Sequence, residues 1–224
     1  TAYKLKRLPD NFIRKYMTIV GLKLIWELRG ISCIEFEEMP SPKKSITTSR
    51  SFGVDIERLE DLEEAISNFI TISAEKLRKQ RTLASCIHVF LISNPFKETP
   101  QYFNEIAISL ERPTANTFEL ISYAKRGLRE IYKEGIKYKK AGVILTGFTS
   151  EREVQLNFFI NPYPKSRDEN LMKALDEINR KYGRDTIFPA SNGIPSESQK
   201  WRMRQKRRSK KYTTSWDEIP IVKT

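Results

Sequence analysis

The sequence is poor in the residues that perform most side-chain catalysis. It holds one histidine, His88, and two cysteines, Cys33 and Cys86. Two thiols and one imidazole fall short of a four-ligand zinc site. Two cysteines make no disulfide framework and fit a reducing cytoplasm. A lone histidine leaves the chain poorly equipped for Ser-His or Cys-His nucleophilic chemistry. His88 lies two residues from Cys86 and shares its face if the segment is a strand, where a core or sheet-surface role is expected. No Gly-rich loop ending in Lys-Ser or Lys-Thr is present to cradle phosphates. No apolar run approaches the ~18 residues that cross a bilayer. The basic, polar Thr1 to Asp10 lacks the apolar centre of a signal peptide. The chain opens on Thr1, not Met, which predicts a fragment or a processed chain.

What is abundant is positive charge. Forty Lys and Arg stand against 28 Asp and Glu, a formal net charge of +12 over 224 residues. Such an excess favours a polyanionic partner through phosphate attraction and counterion release. Nucleic acid is the first expectation and an anionic membrane the second; ribosomal proteins and other basic domains share this balance.

Hydrophobic periodicity divides the chain. Phe12 to Arg29 reads as a helix, with Ile13, Tyr16, Met17, Val20, Leu24 and Leu28 near the three-four rhythm, Asp10 as its cap and Gly30 as its stop. It carries more apolar side chains than its neighbours in sequence can bury, and a missing N-terminal neighbour would explain them. Glu35 to Lys44, with Pro40 and Pro42, reads as a tether. Strands are then expected at Ser45–Gly53, Ser85–Ile92, Phe103–Leu110 and Ala141–Phe148, and helices at Asp61–Gln80 and Thr117–Lys133. Each helix has a single apolar stripe. Both must therefore cover one face of a four-stranded sheet, giving an α+β fold of order β-α-β-β-α-β with its other face open. Asp168 to Tyr182 is a further helix using Leu171, Leu175 and Ile178, stopped by Gly183, and Ile187-Phe188 is a candidate short strand. Lys200 to Lys211 holds eight Lys or Arg and no acid.

Several runs are more specific. Leu28-Arg29-Gly30-Ile31-Ser32-Cys33, Ser49-Arg50-Ser51-Phe52-Gly53, Asn94-Pro95-Phe96 and Lys140-Ala141-Gly142-Val143 follow in order. They are joined by Asn179-Arg180-Lys181-Tyr182-Gly183, Trp201-Arg202-Met203-Arg204 and the tail from Tyr212 through Trp216 to Pro220. Together these cover nearly the whole chain. It resembles the C-terminal portion of the UmuC-type catalytic subunits of DNA polymerase V, members of the Y-family of translesion polymerases.

The resemblance implies four parts. Residues 1–40 end a thumb domain, 44–148 form the little-finger DNA-binding domain, 149–166 a linker, and 167–224 a UmuC-type C-terminal region. It implies sequence-independent grip on primer-template DNA in repair and SOS mutagenesis, in the bacterial cytoplasm at the nucleoid. In Ser49-Arg50-Ser51, hydroxyls and a guanidinium alternate along a strand, partners suited to successive phosphates, whereas pattern alone favours a solvated edge. Phe52 is expected to anchor that strand in the core. Lys43, Lys44, Lys139 and Lys140 flank the sheet as further candidates, and Asn94 follows the second strand.

Gln155-Leu156-Asn157-Phe158-Phe159 resembles a bacterial sliding-clamp motif, with Leu156 and the aromatics filling apolar pockets and Gln155 giving a directional hydrogen bond. An aromatic strand packed on its own domain is the other reading of so short a motif. Phe158 stands where a smaller aliphatic is common. For the basic run, Trp201, Arg202, Arg204 and Trp216 are candidate partner or DNA contacts, against a solvated tail with its Trp packed internally. A processed UmuD dimer and RecA are the partners the resemblance implies.

The polymerase would use Mg, held by palm-domain carboxylates upstream of these residues, so this chain alone is expected to be inactive and to hold no cofactor. Ser215-Trp216-Asp217-Glu218 mimics a catalytic Ser-x-Asp-Glu motif but lies in the tail ahead of Pro220. The alternative readings are a stand-alone truncated protein that occupies the clamp or UmuD, and a basic RNA-binding domain of the same fold. The latter needs aromatics exposed on the sheet for base stacking.

Overall fold

The computed structural model describes residues 1–36, 41–151, 165–194, 199–203 and 208–221, the side chains of 165 and 166 apart. Its contacts divide into two compact units, Thr1–Pro42 and Lys43–Thr224.

The first unit is a helical pair, α1 (Ala2–Lys6) and α2 (Asp10–Leu28). Asp10 is not the cap expected of it. Pro9 takes that position, and Asp10, the first helical residue, accepts from Trp26 Nε1 at 2.9 Å and Arg29 Nη1 at 2.6 Å. Those two donors hold its carboxyl below the usual range. The expected stripe also fails beyond Ile13. Thr18 has φ 60°, which breaks the helical phase, and the buried residues after it are Gly21, Leu22 and Ile25. Tyr16, Met17, Val20, Leu24 and Leu28 are exposed. The expected stop holds: Gly30 has φ +90°, and the N–H groups of Gly30 and Ile31 bond back to Glu27 and Trp26, a Schellman closure.

The second unit is the expected α+β fold. β1 (Ile46–Ile56), α3 (Leu59–Lys79), β2 (Thr82–Ser93), β3 (Phe103–Thr114), α4 (Thr117–Ile131) and β4 (Tyr138–Thr146) follow in that order. The strands form an antiparallel sheet of order β1-β4-β2-β3, with a two-residue β5 (Thr149–Ser150) added beside the start of β2. Alternation in β2 sends Ile87, Val89 and Leu91 into the core with Val143 and Leu145 of β4. Leu62, Ile66, Phe69, Ile70 and Leu77 of α3, with Leu120, Ala124 and Leu128 of α4, close over that face. Asn116 caps α4 by accepting from the backbone N–H groups of Phe118 and Glu119. Phe52 is buried, as expected of it.

A fifth helix, α5 (Lys165–Tyr182), packs on this layer. It buries Met172 and the expected Leu175 and half-buries the expected Ile178, while Leu171, also expected in the stripe, is exposed. Arg78 of α3 binds Asp176 of α5, and the Thr117 N–H meets Met172 Sδ at 3.5 Å. Ile187-Phe188 is not a strand. Asn179 instead mimics a strand partner, its side-chain amide exchanging two 2.9 Å hydrogen bonds with the Ile187 backbone.

Candidate nucleic-acid interface

The sheet face opposite α3 and α4 can be laid out from the register. One row runs Thr47, Ile144, His88, Ala107; the next Ser49, Gly142, Phe90, Glu105; the next Ser51, Lys140, Ile92, Phe103. These residues are exposed or half-exposed, except Phe90 and Gly142. Phe90 is only 8% exposed, and the tip of its ring lies against the Gly142 backbone beside Ser49. A side chain at 142 would collide with both. Lys140 Nζ sits 5.9 Å from the Phe90 ring centre, a cation–π distance.

Charge is unevenly spread over this face. The β1 and β4 half carries the hydroxyls of Thr47, Ser49 and Ser51 with Lys140. The β3 half carries Glu105, which bonds His88 Nδ1 at 2.9 Å. A phosphate chain is therefore favoured along β1 and β4 and repelled towards β3.

Arg50 departs from the expectation that one face bears both hydroxyls and guanidinium. It pairs with Ala141 and shares the pleat parity of Ile46, Thr48 and Phe52, the helix-covered side. On an edge strand that side is open, and Arg50 is exposed with no ion pair among the described residues. The candidate residues thus straddle the edge of β1, hydroxyls on one side and Arg50 on the other.

The flanking candidates differ. Lys43 and Lys44 are exposed, and the Lys43 backbone is clamped by the Gln80 side chain. Lys139, expected as a further candidate flanking the sheet, is engaged within the domain: its Nζ donates to the Phe52 carbonyl at 2.6 Å and lies 3.8 Å from Asp55. Asn94 is a turn former, its side chain accepting from the Phe96 N–H at 3.1 Å. That turn leaves Phe96 95% exposed, a candidate contact that sequence reasoning passed over; the Asn-Pro break placed it in a turn without fixing its exposure. The clamp-motif residues Gln155, Leu156, Asn157, Phe158 and Phe159 lie outside the described residues, as does Arg204.

Trp201 is corrected outright. Expected as a partner or DNA contact, it is 3% exposed in the main core. Its ring meets Phe69 edge-on at 6.0 Å, and its Nε1 donates to Glu64 at 2.6 Å. Burial of so large an apolar surface outweighs the surrounding charge, once Glu64 takes the indole N–H. Arg202, next in sequence, is exposed, and Trp216 is 89% exposed in a short 3-10 turn.

Among the described residues, no group of three or more His, Cys, Asp or Glu converges to hold a metal ion. They offer no carboxylate cluster suited to the Mg of polymerase chemistry. Glu218, of the Ser-x-Asp-Glu mimic, accepts the Lys211 N–H instead. Among the described residues, no helix is long and apolar enough to cross a membrane.

An antiparallel sheet with two helices on one face and a hydroxyl-rich, basic strand edge defines the class of this domain as α+β of β-α-β-β-α-β order. Residues 43–158 match the impB/mucB/samB family C-terminal domain, and residues 169–222 match a domain of unknown function. The chain belongs to the impB/mucB/samB family and corresponds to the C-terminal portion of its UmuC-type polymerases. It is 39% identical to Protein SamB of Salmonella typhimurium and 35% identical to Protein UmuC of Salmonella typhimurium, each over the whole of this chain and 52% of the relative. The chain thus spans about half the length of the curated relatives it matches. A solved insertion ternary complex of Dbh DNA polymerase aligns at 12% identity with a TM-score of 0.41, over 67% of this chain and 41% of that one.

Proposed function

We propose that this chain grips primer-template DNA by its backbone for a UmuC-type translesion polymerase, in repair and SOS mutagenesis. One observation carries the reading: Thr47, Ser49 and Ser51 line one side of the β1 edge with Lys140, while Arg50 is exposed on the other. Hydroxyls, an ammonium and a guanidinium suit phosphate oxygens and carry no base code. The grip set is Lys43, Lys44, Ser49, Arg50, Ser51 and Lys140. Of the two aromatics on the face, Phe90 is covered and Phe103 is exposed on the far strand β3, on the same side as Glu105, so the basic β1 edge itself carries no exposed ring for stacking a base, which favours backbone contact there.

The test is a salt titration of primer-template binding. Each phosphate neutralised contributes about −0.9 to the slope of log K against log salt, so four cations predict a slope near about −3 to −4. Sequence-scrambled duplexes are expected to bind equally. Salt-independent affinity would end this reading.

Clamp docking is proposed from Gln155, Leu156 and Phe159 on sequence alone. Replacing the three with Ala is expected to abolish capture by the bacterial sliding clamp while leaving DNA affinity intact; retained capture removes the motif. A processed UmuD dimer and RecA are further proposed partners, Mg is the metal proposed for the catalytic part of such a polymerase, and the proposed location is the bacterial cytoplasm.

A further inference from the structure

We infer that the C-terminal region supplies a second set of phosphate ligands, with Arg202 at its head, which extends the DNA track along the β1 edge. The inference rests on the grip proposed above and assigns a role to the region matched by a domain of unknown function. The Gly53 N–H donates to the Arg202 carbonyl at 3.2 Å. That bond falls where β1 loses register with β4, between Ser51 and Ile56. The bulge turns a backbone donor outward, and the C-terminal segment occupies it.

Trp201 fixes the geometry. Its ring is locked against Phe69 on the helix side of the sheet, with Glu64 holding its N–H. A buried indole with a satisfied donor leaves the adjacent backbone little freedom. Arg202 is therefore presented at the strand edge, exposed, its guanidinium 5.9 Å from the Trp201 ring and without an ion pair among the described residues. Arg50 shares the helix-side parity and is also exposed, and the Arg202 backbone meets the same strand three residues further on, at Gly53. Lys200 is exposed, loosely held 3.9 Å from Asp61. Arg208, Lys210 and Lys211 continue the exposed charge.

The chemistry favours a phosphate chain over a protein surface. Protein interfaces are enriched in aromatic anchors; the aromatic of the Lys200–Lys211 run, Trp201, already serves the core, and the exposed Tyr212 and Trp216 lie beyond that run. What stays outside is mainly charge, with a planar fork able to hold two phosphate oxygens at once.

The experiment uses the full 224-residue chain and the same primer-template titration. Arg202→Ala is expected to reduce the steepness of the salt slope by about one and to weaken binding uniformly across sequences. Arg202→Lys keeps the charge and is expected to keep the slope. Lys181→Ala removes an exposed cation at the end of α5 and is expected to leave the slope unchanged. An unchanged slope for Arg202→Ala, or an equal loss for Lys181→Ala, overturns the inference. If the unaltered chain shows no salt-dependent binding, the grip itself fails. If it binds and only Arg202→Ala is silent, this inference alone falls.

Discussion

Arg78 and Asp176 meet through two parallel hydrogen bonds, Nε to one carboxylate oxygen and Nη2 to the other, both 2.7 Å long. The same guanidinium donates from Nη1 to the Ala115 carbonyl and the Thr117 hydroxyl, each at 2.9 Å. One side chain on α3 thereby ties α5 to the start of α4. Arg78→Ala is expected to destabilise the second unit by about 2–4 kcal/mol, since it strips four acceptor contacts from a mostly buried site. Asp176→Ala should cost less, because the carboxylate is the more exposed partner. A double-mutant cycle in urea checks the pair; a coupling near zero would show that the brace is unimportant.

The two tryptophans of the C-terminal region should separate cleanly. Trp201→Ala is expected to cost about 3–5 kcal/mol, the usual range for emptying a buried aromatic site. Trp216→Ala is expected to stay within about 0.5 kcal/mol, as for exposed positions without special contacts. Chemical denaturation of both variants decides, and equal effects would contradict the burial difference.

Gly142→Ala should strain the sheet. The added carbon meets the Phe90 ring and the Ser49 side chain on the grip face. Overpacking of this kind costs about 1–3 kcal/mol. Phe90→Leu in the same chain is expected to recover part of the loss, because the ring tip is the obstacle. Failure of that rescue would mean the ring does not lie over residue 142.

Stability should fall at alkaline pH through Tyr138. Burial pushes its phenol up to about 12 from the ordinary 10.0. A pKa raised on folding favours the neutral form in the folded state. Its contribution is therefore complete below pH 10 and is lost as pH rises from there towards 12. The hydroxyl also accepts from the Lys133 N–H at 2.8 Å and donates to the Lys133 carbonyl at 3.0 Å. Tyr138→Phe should thus cost about 1–3 kcal/mol at neutral pH by orphaning both groups, and should flatten the alkaline decline in melting temperature. An unchanged decline would place the titration elsewhere.

Much of this fold was legible in the sequence because its signals were local. Ile87, Val89 and Leu91 alternate cleanly, and the stripe of α3 has one phase throughout. The miss in the later part of α2 has a specific cause: Thr18 takes a left-handed φ that neither Gly nor Pro announces, and Leu22 and Ile25 are buried after it in place of Val20, Leu24 and Leu28; Tyr16 and Met17, ahead of it, are exposed as well. The split between Arg50 and its serine neighbours was available from strand alternation alone, since residues 49 and 51 must oppose residue 50. Reading the three as one cluster overlooked the pleat. Trp201 was illegible for another reason. It sits in a basic run, and its partners Glu64 and Phe69 are more than 130 residues earlier, a contact no local pattern encodes.

The hydrogen bond from Gly53 to Arg202 also bears on how the protein behaves in a crowded solution. An unoccupied donor on an outermost strand is a template onto which a foreign strand can add, and natural sheets blunt such positions. Here the chain's own later segment sits on that donor, at the bulge where β1 is least regular. Loss of that segment would leave a bare rim able to zip onto a neighbour, so clumping of copies would accompany loss of the tail even if the fold survived.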